Sequence, residues 1–190
     1  MIMKKFRFFL FLLIISSGIY LSEQNSYSMD EAFKVLKLIE KVEAAQMETQ
    51  RSSLSHVEVT ESEFNSYIAY RIDTEGEEIM RGLQFKFFDK NKVEGRIYID
   101  LRGQNLPSIL KPEMNIFFTA EIKTDQGAVR MDLKDLFIEN RRVMPAVLDL
   151  IISIGAKIQG EEVTSINDWY ELPFGIKEIV INPGKAIFYY

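Results

Sequence analysis

The sequence predicts an α+β protein in which a highly curved antiparallel sheet of about six strands wraps on long helices. Three observations carry this. Apolar residues recur at every second position, or nearly so, through much of the tract from Leu83 to Leu133, and a period of two belongs to strands with one buried face. Ahead of that tract stand two capping-box pairs, Ser28 with Glu31 and Thr60 with Glu63, each opening a run with helical spacing. Behind it, Pro145 occupies the place of a first helical residue before a nearly continuous apolar run.

The chain begins with Lys4, Lys5 and Arg7, then an apolar run from Phe8 to Ile15, then small Ser16, Ser17 and Gly18. These are the three parts of a secretory signal. Residues 1–22 are therefore expected to be a signal peptide and 23–190 a single domain. A core of about eight residues is too short to span a bilayer, which needs roughly twenty; an uncleaved N-terminal anchor is the alternative. The expected location is outside the cytoplasm, in the periplasm or an equivalent compartment. With no cysteine, there is no disulfide and no lipid-modified cysteine, so the core alone must hold the fold.

In chain order, Ala32, Val35, Leu36, Ile39, Val42 and Ala45 place a first helix over about Met29 to Gln50. A short strand follows at Leu54 to Val59. A second helix opens at Thr60 and carries Phe64, Tyr67, Ile68 and Ile72 on one face. Two hairpins come next, turned at Asp89 to Lys92 and at Thr124 to Gly127. Between them Leu106 to Leu110 reads as a short crossing element. After Leu133 the apolar phase shifts, with Leu136 and Ile138 continuing the strand, which marks a β-bulge. The helix from Pro145 is apolar nearly all round and should be buried on more than one side. A last hairpin joins Ile176–Ile181 to Ala186–Tyr190 through Asn182, Pro183 and Gly184.

No catalytic or metal site is expected. His56 is the only histidine, which with no cysteine cannot make the usual zinc set. There is no G-x-S-x-G elbow, phosphate-cradling loop or dinucleotide fingerprint. The local acid pairs, such as Glu61 with Glu63 and Asp132 with Asp135, sit at helix starts or on polar strand faces, where solvation explains them. Asp89 to Val93 begins like a calcium loop, but Glu94 stands where that loop requires glycine. The formal charge is -5, and loss of the signal takes it to about -8. Such a surface repels phosphate backbones, so nucleic acid is not an expected partner, and any transient membrane contact must rest on apolar groups.

What remains is the apolar surface. The segments T-E-S-E-F-N-S-Y-I (Thr60–Ile68), R-V-M-P-A-V-L-D-L-I (Arg142–Ile151) and L-P-F-G-I-K-E-I-V-I-N-P-G-K-A-I-F-Y (Leu172–Tyr189), with the paired hairpins, resemble the exported bacterial lipid-binding proteins of the tubular lipid-binding (TULIP-like) group. The resemblance implies a curved sheet around a long helix with lipid held between them. The chain lacks the lipoprotein cysteine of many such proteins. The function expected is non-catalytic binding or transport of a lipid or other long apolar molecule, without cofactor. Phe85, Phe87, Ile97, Ile99, Phe118, Met131, Leu148, Ile151 and Ile152 are the candidate lining residues. The competing reading is an envelope interaction module with a solid core, whose partner pairs with an exposed edge such as the hairpin ending Phe188, Tyr189, Tyr190.

Overall fold

The computed structural model describes residues 27–47, 55–76, 79–103, 106, 110–159 and 163–190. The signal segment lies outside these, as does most of the crossing element after Leu106. Among the described residues the architecture is α+β, with a strongly curled antiparallel half-barrel, a smaller sheet and three helices. Helix α1 (Met29–Met47) leads into strand β1 (His56–Thr60) and helix α2 (Glu61–Glu75). Strands β2 (Met80–Phe87), β3 (Lys92–Asp100), β4 (Glu113–Asp125) and β5 (Ala128–Ile138) form a meander, each pairing with the next. Short β6 (Arg141–Arg142) and β7 (Tyr170–Glu171) both add to β5, on either side of helix α3 (Ala146–Gln159). A 3₁₀ turn at Pro173–Gly175 precedes β8 (Glu178–Asn182) and β9 (Lys185–Tyr189).

Local chemistry fixes the elements. Lys90 and Asn91 adopt positive φ, 56° and 57°, between β2 and β3, the backbone a two-residue hairpin of matching twist demands. Both halves of the Thr60–Glu63 capping box form: the Glu63 N–H donates to Thr60 Oγ1 at 3.2 Å and the Thr60 N–H to Glu63 Oε2 at 2.9 Å. The Ser28 box is only half made. Ser28 Oγ accepts from the Glu31 N–H, but the Glu31 carboxylate turns to α2 and accepts from Ser62 and Ser66. The bulge expected after Leu133 is present, with Thr119 opposite Asp135 and Ala120 opposite Leu133, leaving Lys134 as the extra residue.

Helix α2 lies along the free edge of β2 and satisfies it with side chains. The Asn65 amide donates to the Phe85 carbonyl at 2.8 Å and accepts from the Phe85 N–H at 2.7 Å, and Glu61 Oε2 accepts from the Phe87 N–H at 2.7 Å. An open edge invites pairing with another chain, and α2 closes most of this one.

The expectation of a sheet that wraps on long helices is not met for α1, which packs away from the concave side. The stripe Val35, Leu38, Ile39 and Val42 lies instead on Val57, Val59, Tyr67 and Tyr190. The reason is topological. Strand β1 pairs with β9, and the resulting sheet, ordered β1-β9-β8, is a separate surface that needs its own cover. The concave side of the half-barrel is filled by α3 and by the small sheet. In the closing hairpin β9, which carries Phe188 and Tyr189, is flanked on both sides, and β8 forms the end of the small sheet.

Candidate functional site

The inward residues of the half-barrel come from alternate strand positions. Leu83, Phe87, Val93, Ile99, Met114, Ile116, Phe118, Ala120, Ile122, Val129 and Met131 are all buried in one core. Leu148, Ile151 and Ile152 of α3 and Ile179, Ile181 and Ala186 of the small sheet belong to the same cluster. Each large aliphatic side chain so buried contributes roughly 1.5–3 kcal/mol. All nine sequence-predicted lining residues lie here: seven are buried, and Phe85 and Ile97 are half-buried against the cluster.

A cavity of about 90 Å³ opens where the half-barrel faces the small sheet. A second, of about 60 Å³, lies beyond it under α1. Both are lined by Phe64, Pro173, Ile176 and Phe188, which stand as the wall between them. Of the nine predicted residues only Phe85, Phe87 and Met131 reach the larger cavity. Ile97, Ile99, Phe118, Leu148, Ile151 and Ile152 pack in other parts of the core.

The rest of the lining was not singled out from the sequence. It comes from the half-barrel (Val93, Ile122, Val129), from α2 (Phe64, Ile68), from the 3₁₀ segment and its flanks (Leu172, Pro173, Ile176) and from the small sheet (Ile179, Ile181, Ala186, Phe188). The alternation of Ile176, Ile179, Ile181 and Ala186, Phe188 was the available signal. Its use required knowing that the terminal hairpin turns its apolar face back onto the half-barrel.

Aromatic contacts set the wall. Phe64 meets Phe85 edge-on with centroids 5.7 Å apart and lies 5.4 Å from Phe87. Phe85 in turn meets Phe118 at 5.8 Å and 80°. These are favourable edge-to-face geometries. The turn between Pro173 and Ile176 is strained: Phe174, which lines the smaller cavity, sits at φ 55°, ψ 27°. A bulky residue in the left-handed region costs of order 1 kcal/mol or more.

Ionisable groups stay away from the larger cavity, whose fifteen lining residues are all apolar. Beside the smaller one, the Arg71 guanidinium donates to the Tyr67 hydroxyl at 3.0 Å and pairs with Glu75. Burial pushes the Tyr67 hydroxyl pKa up, with Arg71 opposing. The acids noted in the sequence have structural partners: Glu61 and Glu63 hold backbone N–H groups, and Asp132 lies between Lys123 and Lys134. Among the described residues no three His, Asp or Glu side chains come together to hold a metal, and no helix is long and apolar enough to cross a membrane. The chain matches no family model, no curated protein and no solved structure.

Proposed function

We propose that this protein is a non-catalytic binding protein of the cell envelope. It takes the chain of a lipid, or another slender apolar molecule, into the seam between its half-barrel and its small sheet. The observation that carries the reading is the pair of adjoining apolar cavities, divided only by Phe64, Pro173, Ile176 and Phe188. The signal-like pattern of residues 1–22 and the TULIP-like resemblance, which implies a curled sheet enclosing lipid, support it.

The volumes define what entry requires. Together the cavities offer about 150 Å³, on the scale of a void that holds one benzene. A longer chain needs Phe64 and Phe188 to swing aside so that the two spaces join. The strained Phe174 turn lies at that wall, where a small backbone adjustment relieves energy already stored. Each methylene buried gains roughly 0.8 kcal/mol, so a segment of about six gains on the order of 5 kcal/mol before ordering costs. No charged group is needed inside.

Native mass spectrometry of the gently purified protein, and of protein incubated with phospholipid vesicles, tests the reading. Adducts of lipid mass that a Phe64→Trp substitution reduces are expected. A spectrum free of adducts under both conditions would rule it out.

A further inference from the structure

The ladder between α2 and the edge of β2 has a third rung that the protein leaves empty. Glu61, Asn65 and Ala69 follow one another at one-turn spacing down α2. Glu61 takes the Phe87 N–H and Asn65 takes both backbone groups of Phe85. In an antiparallel pair the outward-facing residues alternate, so the next outward N–H and C=O are those of Leu83, which lies opposite Ile97. Ala69 has no group to bond them, and Leu83's outward pair has no partner among the described residues.

Leu83 borders a groove of about 740 Å³, lined by Ala69, Gln84, Arg96, Tyr98 and Asn115 among others. The groove lies outside the apolar seam. Arg96, cross-strand partner of Gln84, is held in place by Asn115 Oδ1, which accepts from Nε at 3.0 Å and Nη2 at 2.9 Å, and its guanidinium lies over the Phe117 ring. An amide oxygen carries no charge. No carboxylate pairs with Arg96 among the described residues, although the protein is acidic overall. Its Nη1 donors remain for a ligand.

We propose that this groove binds an extended peptide segment carrying a carboxylate. The peptide backbone pairs with the Leu83 N–H and C=O as a short added strand, and the carboxylate takes Arg96. Glu61 and Asn65 set the register by blocking the edge at Phe87 and Phe85. The site does not depend on whether the seam holds a ligand.

Fluorescence polarisation with a labelled hexapeptide of alternating valine and glutamate tests it. Saturable binding is expected, weakened at least tenfold by Arg96→Gln and equally by N-methylation of alternate peptide amides. Ala69→Asn, which supplies the missing rung, should abolish binding while the melting temperature holds or rises. Amide exchange at Leu83 should slow when the peptide is bound. Three results would overturn the proposal: no saturation at millimolar protein, binding indifferent to Ala69→Asn and to N-methylation, or equal competition by inorganic phosphate, which marks a simple oxyanion site.

Discussion

Gly95 lies directly beneath the ring of Phe118, its cross-strand partner in the β3–β4 ladder, so that a Cβ on Gly95 would lie only 2.0 Å from Phe118 Cζ. The glycine lets the ring lie flat over the backbone, and Phe118 in turn supports Phe85 at the cavity wall. Gly95→Ala is therefore expected to cost about 1–3 kcal/mol through overpacking, read as a lower urea midpoint with unchanged slope. Pairing it with Phe118→Leu should recover part of the loss. Strict additivity of the two would show that the contact is not the cause.

Asn65 is the central fastening between α2 and the sheet. Asn65→Ala leaves the Phe85 N–H and C=O without partners, and each half-buried group so orphaned costs about 1–3 kcal/mol. Hydrogen exchange at the Phe85 amide should accelerate by at least tenfold. Asn65→Asp retains the acceptor and should preserve protection of that amide better than alanine does.

The half-barrel was legible in the sequence because its strands keep one buried face, so Phe85, Ile97, Phe118 and Met131 announce themselves by period. Even the bulge at Lys134 appeared as a shift of phase. The strands of the small sheet were legible, the closing hairpin included, but their assembly into one sheet was not. Pairing of β1 with β9 joins His56 to Tyr189 across most of the chain, and no local pattern encodes so distant a partner. That one pairing moved α1 off the concave side and set Phe64, Ile176 and Phe188 around the cavities. Phe64 read correctly as apolar; its neighbours could not be read.

Thr60 caps α2 at the point where β1 ends, so one residue orients the helix that carries Phe64 and Asn65. Thr60→Ala should cost about 1 kcal/mol, measured by chemical denaturation. Thr60→Ser should restore nearly all of it.

Acid should loosen the sheet's polar side in a defined window. The Arg102 guanidinium and backbone N–H hold the Asp100 carboxyl down at about 2, and the Lys123 and Lys134 ammonium groups do the same for Asp132. Both values lie below the ordinary 3.8, so on acidification the unfolded chain takes up these protons first. Stability from these pairs is complete above about pH 4 and is lost as pH falls towards 2. Melting curves between pH 6 and pH 2 should decline in that interval, less so for Asp132→Asn, and high salt should weaken the part-exposed Asp132 pairs more than the buried Asp100 pair. A wild-type melting temperature unchanged from pH 4 to pH 2 would contradict the assignment.

The central claim is that an apolar chain occupies the seam between the two sheets, and photo-crosslinking tests it at its place. A fatty acid bearing a diazirine near its methyl end, irradiated with the protein and mapped by peptide mass spectrometry, should label Phe64, Leu172, Ile176 or Phe188. Labelling that falls only on outward residues such as Phe117 and Phe137, or no labelling above that of a soluble diazirine control, would contradict the account.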